Sequence, residues 1–195
     1  HADKMDLQDI VHKIEALNPD FVAFGAYTEE INDAASIAEL FKERNPSITI
    51  IIGGYHFSAL PEDTLKEFPA FDVGIIGEGE TPLRDIVRGE PFESIKGIVF
   101  RGTDHNNLIM NPEQTEFVDL DELPLPAWDL FDLDKYSNAL VIEFLRACPF
   151  ACNYCYRATG RTVRYKSHKK IIAEIKHTLH TFGKRNPYFY FNSGG

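Results

Sequence analysis

The chain has 195 residues, 44% hydrophobic and 26% charged, with 30 acidic against 20 basic side chains and a formal net charge of −10. That composition suits a folded protein of one large or two small domains and excludes wholesale disorder. The acidity argues against a nucleic-acid surface over the whole chain, and no apolar run approaches the roughly 20 residues of a membrane helix.

The N-terminal sequence HADKMDLQDIVHKIEAL reads as a charged amphipathic helix rather than a signal peptide. Over Asp6–Leu17 it places Leu7, Ile10, Val11, Ile14 and Leu17 on one face, and Asn18-Pro19-Asp20 stops it. Phe21–Tyr27 is apolar almost throughout, as a strand buried on both faces should be. Asn32–Arg44 is a second helix with Ile37, Leu40 and Phe41 inward, followed by the β-branched strand Thr49–Ile52, which runs into Gly53-Gly54. Pro61–Phe68 is a short helix with proline at its first position. Asp72–Ile76 is the next strand and ends in Gly77-Glu78-Gly79-Glu80, after which Thr81 caps a helix with Pro82 at its first position. Strands separated by such helices imply βαβ units and a parallel sheet.

The pattern then changes. Gly97–Arg101 and Leu108–Asn111 read as a hairpin. The stretch 113–134 contains Glu116, Asp119, Asp121, Glu122, Asp129, Asp132 and Asp134 with no Lys or Arg, and reads as an acidic linker (103–138) wrapping over a surface, pinned by Leu123, Leu125 and Trp128. A second βα unit runs from the strand Ala139–Leu145 through a cysteine loop into a helix over Ser167–Phe182. Ser167 is its N-cap, and Ile171, Ile172, Ile175 and Leu179 form the expected buried stripe. Tyr188–Phe191 reads as the next strand.

Cys148-Pro-Phe-Ala-Cys152-Asn-Tyr-Cys155 places three cysteines within eight positions at the carboxyl end of a predicted strand. They are odd in number and too crowded for a disulfide framework, which points to a reducing, cytoplasmic compartment and a metal site. Three thiolates this close repel one another unless a cation neutralises them. Structural zinc usually takes four ligands, often as two separated pairs. A cubane [4Fe-4S] cluster uses three thiolates and leaves its fourth iron open to chelation by S-adenosylmethionine. Zinc and plain burial remain the alternatives.

The C-x3-C-x-aromatic-C pattern, with Tyr154 as the aromatic, resembles the radical S-adenosylmethionine (radical SAM) superfamily, and its place between strand and helix matches the first βα unit of that family's partial (βα) barrel. Ser193-Gly194-Gly195 resembles the family's glycine-rich S-adenosylmethionine motif. Ahead of the cysteines come, in order, NPDFVAFGAYT, TIIIGGYH, FDVGIIGEGETPL and DLDELPLPAWD. That order is similar to cobalamin-binding radical SAM proteins over nearly the whole chain, and the nearest subgroup is the anaerobic magnesium-protoporphyrin IX monomethyl ester cyclase type. The resemblance implies a flavodoxin- or Rossmann-like α/β domain over 1–102, its first strand missing, and the truncated opening of the radical SAM domain over 139–195. It implies a [4Fe-4S] cluster on Cys148, Cys152 and Cys155, with Tyr154, Gly194 and Gly195 toward S-adenosylmethionine. It places the cobalamin nucleotide tail in loops at Tyr27, Thr28, Gly53, Gly54, Gly77, Glu78 and Gly79. The function implied is reductive cleavage of S-adenosylmethionine to a 5′-deoxyadenosyl radical for methyl transfer or oxidative cyclisation. Its partners would be a small-molecule substrate and an electron donor such as flavodoxin or ferredoxin, with no nucleic acid or membrane, and a fragment this short is expected to be inactive. The competing expectation is a cobalamin- or nucleotide-binding module with zinc at the cysteines.

Two departures from the family stand out, the absence of the cobalt-ligating Asp-x-His-x-x-Gly motif and of the expected first strand, and a smaller one is Arg146-Ala147-Cys148 where the family often has Arg-Gly-Cys. Taken singly, each glycine pair is more often a tight turn than a ligand site. His56 is by default a hydrogen-bonded loop histidine, Arg146 either tunes the cluster or pairs with an acid, and Glu174 reads as a surface salt bridge. Arg157, Arg161, Arg164, Lys166, Lys169 and Lys170 read as a solvated basic face that could also receive an anion.

Overall fold

The computed structural model describes residues 6–102, 104, 107–135, 139–183 and 188–192. The described residues divide into two compact units, one ending at Phe117 and the other beginning at Val118.

In the first unit, strands β1 (Phe21–Gly25), β2 (Thr49–Gly53) and β3 (Val73–Ile75) run parallel, and the hairpin of β4 (Ile98–Arg101) and β5 (Leu108–Met110) extends the sheet antiparallel in the order β1-β2-β3-β4-β5. The helices are α1 (Leu7–Glu15), α2 (Ile31–Arg44), α3 (Tyr55–Ala59), α4 (Pro61–Glu67) and α5 (Glu80–Val87). Asp6 caps α1 by accepting from the Asp9 N–H at 2.8 Å. Asn18 turns left-handed before Pro19, so Leu17 lies beyond the helix end and is 79% exposed rather than inward. The buried face of α2 is Ile31, Ala34, Ala35, Ala38 and Phe41, with Ile37 and Leu40 only partly covered. Most of this face is alanine, which carries little apolar signal in the sequence. The cap of α5 is Gly79, not Thr81, and Pro82 is its third residue; an amide there has no intrahelical partner, so proline is tolerated.

The two sheet faces are covered unequally. On one, Val22, Ile50, Ile52 and Val99 pack with Val11, Ala34, Ala35, Ala38, Phe41, Phe57 and Leu65. On the other, Ile86 joins Ile51, Val73, Ile75, Ile98 and Phe100. β1 lies at the sheet edge, with Val22 buried but Ala23 and Gly25 exposed, so burial on both faces does not hold for it. At the amino ends, the Lys42 ammonium donates to Ile48 O at 2.7 Å and Asp72 Oδ1 at 2.9 Å, while Asp72 Oδ2 accepts from the Ile50 N–H at 2.7 Å.

In the second unit, β6 (Ala139–Glu143) pairs parallel with β9 (Tyr188–Asn192), and β7 (Leu145–Arg146) pairs antiparallel with β8 (Arg164–Tyr165). Helix α6 (His168–Phe182) begins at Ser167, whose side chain accepts from the Lys170 N–H. Its buried stripe is Glu174, Thr178 and Phe182, while Ile172 and Leu179 are exposed. The reason is the segment after Val118, which lies along α6 and offers polar partners. Trp128 Nε1–H donates to Thr178 Oγ1 at 3.1 Å and its ring meets Phe182 edge-on. Leu120 is the buried apolar anchor of this segment, whereas Leu125 is exposed. Glu174 is no surface acid: it holds Lys166 Nζ at 2.8 Å with both side chains under a tenth exposed.

Removing one partner of a buried pair leaves an uncompensated charge, so Glu174→Ala should cost about 3–5 kcal/mol in urea unfolding. Lys166→Met with Glu174→Leu should recover most of that loss. Hydrogen bonds from the Ser167 side chain and amide hold the Asp121 carboxyl below its ordinary value. A depressed carboxyl stabilises above the unfolded value of about 3.9 and loses that contribution as pH falls through the lower folded value. The urea midpoint of Asp121→Asn should therefore lie below wild type at neutral pH and converge on it in acid.

Candidate functional site

The carboxyl ends of β1, β2 and β3 form the edge of the first unit where ligands of open parallel sheets bind. Gly25 and Gly53 are partners in register there. Gly54 follows with φ 91°, and a Cβ on it would lie 2.7 Å from Ala26 N and 2.8 Å from Ala26 O. Only glycine fits this turn. The close approach locks two loops together: Ala26 N–H donates to Gly53 O at 3.2 Å, and His56 N–H donates to Ala26 O at 3.2 Å. Tyr27 and Tyr55 stack with centroids 5.4 Å apart, and Thr28 Oγ1 lies 3.1 Å from His56 Nδ1. His56 is hydrogen-bonded, but it stands in the first turn of α3 rather than in a loop.

A groove of about 240 Å³ runs along this edge, lined by Ala23, Gly25, Ile51, Gly53, Ile75 and Leu83 among others, with Gly54, Gly77 and Gly79 at its rim. A Cβ built on Gly25 or Gly79 meets nothing within 4 Å among the described residues, so none of these neighbours requires glycine at either position. Absent side chains there keep the groove wide, which suits the flat, mostly apolar end of a bound cofactor. Of the residues the sequence singles out, Gly53, Gly54, Gly77 and Gly79 line the groove, and Tyr27 and Thr28 sit on the adjoining loop. Glu78 is instead buried, 6% exposed. The apolar floor (Ala23, Ile51, Ile75) and the Tyr55 stack were not anticipated. Strand alternation carries the signal for the floor, since these residues face the side opposite Val22, Ile50 and Ile52.

The second candidate is the cysteine loop. The β7–β8 clamp closes its base, where Ala147 N–H donates to Thr159 Oγ1 at 3.1 Å and Cys148 N–H points to Gly160 O at 3.5 Å. Ala147 is 1% exposed and left-handed, φ 72°, which explains why glycine suits this position in the related pattern. Cys148 is half-buried and Cys152 and Cys155 are exposed, all three as free thiols. Cys155 N–H turns back to Cys152 O at 3.3 Å. Among the described residues no three His, Cys, Asp or Glu side chains are gathered as a metal-ligand set. The donor chemistry nevertheless suits a group taking three thiolates. Tyr154 is 88% exposed beside them, and Ser193, Gly194 and Gly195 lie outside the described residues.

Most of the basic run is turned inward. Arg157 donates to Phe150 O, Arg164 to Val118 O, Lys170 to Leu123 O and Lys166 to Glu174, leaving Arg161 and Lys169 exposed. Arg146 pairs with Glu143 at 2.9 Å. Thr159, unmarked by the sequence reading, is the side chain that ties down the start of the loop.

The B12 binding domain model matches residues 2–87. The chain is 28% identical to an uncharacterized methyltransferase of Pyrococcus horikoshii over 93% of its own length and 41% of that protein. It is 29% identical to the anaerobic magnesium-protoporphyrin IX monomethyl ester cyclase of Rubrivivax gelatinosus over 84% of its length and 32% of that protein. Its fold matches OxsB, a cobalamin-dependent S-adenosylmethionine radical enzyme solved with aqua-cobalamin and S-adenosylmethionine bound. The TM-score is 0.81 at 22% identity, covering 96% of this chain and 27% of that one. The chain therefore spans well under half the length of these relatives.

Glycine at residue 147 relieves the left-handed strain, so Ala147→Gly should raise stability by about 0.5–1 kcal/mol in urea unfolding. Gly54→Ala should do the opposite and by more, because its Cβ meets backbone on a second loop.

Proposed function

We propose that the groove at the carboxyl ends of β1, β2 and β3 holds the nucleotide tail of cobalamin, because the B12 binding domain model matches residues 2–87 and the chain is similar in sequence to a magnesium-protoporphyrin cyclase and in fold to a cobalamin-dependent S-adenosylmethionine radical enzyme. We further propose that Cys148, Cys152 and Cys155 hold a [4Fe-4S] cluster with S-adenosylmethionine on its open iron. The observation that carries the first part is the groove itself, apolar on its floor and left open by Gly25 and Gly79 within the matched residues. For the second part the support is three free thiols on one loop, fixed at its base by Thr159 and Gly160.

Bound there, a reduced cluster would supply the electron that cleaves the sulfonium of S-adenosylmethionine. The chain's own residues would bind and orient. Gly53 and Gly54 let the backbone come close to the tail, Ala23, Ile51 and Ile75 exclude water beneath it, and Tyr27 and Thr28 bound its mouth. Tyr154, beside the last cysteine, is the side chain for S-adenosylmethionine, with Gly194 and Gly195 further along. Glu143 balances the charge of Arg146 two residues before Cys148. The parent enzyme would transfer a methyl group or carry out an oxidative cyclisation on a small molecule, with electrons from a flavodoxin or ferredoxin.

Hydroxocobalamin titrated into the chain should bind. Gly25→Val, which meets no protein atom at Cβ, should weaken binding at least about tenfold while leaving the melting temperature nearly unchanged. After anaerobic reconstitution with iron and sulfide, the reduced protein should show a cluster resonance that shifts on adding S-adenosylmethionine and disappears in Cys148→Ala. Stoichiometric zinc with no cluster would overturn the cluster assignment and leave the cobalamin assignment standing.

A further inference from the structure

The Gly77–Glu80 loop, one rim of the groove, is held from two sides by side chains outside the glycine motifs. From one side comes α3. Gly74 leaves the space into which the Phe57 ring fits, since a Cβ there would lie 1.9 Å from Phe57 Cζ. Phe57 is fully buried. With Phe57 seated on β3, the next residue, Ser58, is 5% exposed, and its Oγ accepts from the Gly77 N–H at 3.0 Å. From the other side comes Gln114, whose Nε2 donates to Ile76 O at 3.1 Å and Glu78 O at 2.9 Å. Gln114 reaches the loop by passing over Gly97, where a Cβ would lie 2.6 Å from Gln114 Cγ. Ile76 N–H completes the set by donating to Gly97 O at 2.8 Å.

Four backbone groups over three consecutive residues, Ile76 to Glu78, are therefore fixed by partners far away in sequence. Two of those contacts come from one amide group that supplies both donors. A turn anchored only to complete the fold would not need clasps from both sides, whereas a loop that receives a ligand gains affinity by being ordered beforehand. We propose that Ser58 and Gln114 are positioning residues that preset the Gly77–Glu80 loop for the nucleotide tail of cobalamin. The inference rests on the cobalamin assignment above and extends it to residues outside the loops themselves.

The test compares hydroxocobalamin with diaquacobinamide, the corrinoid that lacks the nucleotide tail, in equilibrium titrations of the wild-type chain, Ser58→Ala, Gln114→Ala and Gln114→Glu. Wild type should prefer hydroxocobalamin. Each variant should lose about tenfold in affinity for it and keep its affinity for cobinamide. Gln114→Glu should lose at least as much as the alanine variant, because it keeps the side chain's size but turns two donors into acceptors facing carbonyl oxygens. Equal losses toward both corrinoids, recovery in Gln114→Glu, or unchanged preference in Ser58→Ala and Gln114→Ala would each overturn the proposal. Should Gln114→Ala fail to fold, Ser58→Ala decides by the same ratio. A wild-type chain that binds neither corrinoid removes the underlying assignment; one that binds cobalamin while the variants keep its preference removes only this inference.

Discussion

The Phe57 ring occupies the space that any side chain at residue 74 would need, and the groove depends on that contact. Burying a phenylalanine is worth roughly 1.5–3 kcal/mol, a large part of a domain's net stability. Here it also sets geometry. It fixes the short helix α3 against β3, which puts Tyr55 beside Tyr27 and Ser58 against Gly77. Gly54 makes this possible from the other direction, by letting the chain leave β2 in contact with Ala26. At the opposite end of the sheet the Lys42–Asp72 pair fixes the amino ends of β2 and β3. The carboxyl ends are thus positioned from both directions.

The two units hold their candidate sites in different ways. In the first, the groove walls are backbone and apolar side chains held by the core. In the second, order is concentrated at the base of the cysteine loop, in the β7–β8 clamp and the contacts of Ala147 and Cys148 with Thr159 and Gly160. The cysteines themselves are exposed or half-buried, where thiolates are accessible as ligands. A metal group bound to such a loop would supply part of its folding free energy. The apolar groove instead relies on shape present beforehand.

Much of the first unit was legible because its signals are local. Proline at Pro61, the β-branched run at Thr49–Ile52 and the glycines after each strand mark element ends directly. The hairpin at β4 and β5 was equally plain. What escaped reading depended on tertiary context. Helix α3 is five residues long and shows no periodicity, so nothing in Tyr55–Ala59 announces it. The alanine face of α2 was hidden because alanine carries little apolar signal of its own. On α6 the expected stripe held only in part: Ile171 and Ile175 are half-buried, whereas Glu174 and Thr178 are buried because they find partners in Lys166 and Trp128, outside the helix. Of the site, the glycine motifs could be read in order, whereas Ser58 and Gln114 could not. Each acts across a sequence separation that no local pattern encodes, 19 residues for Ser58 and 36 or more for Gln114.

The central claim is that cobalamin enters at the carboxyl ends of β1, β2 and β3. Amide hydrogen exchange of the whole chain, with and without hydroxocobalamin, tests it most directly. The account predicts slowed exchange at Ala26–Thr28, Gly53–His56 and Gly77–Gly79, with none along α6. Protection confined to the cysteine loop and α6, or no protection under conditions where the cobalamin stays bound, would contradict it.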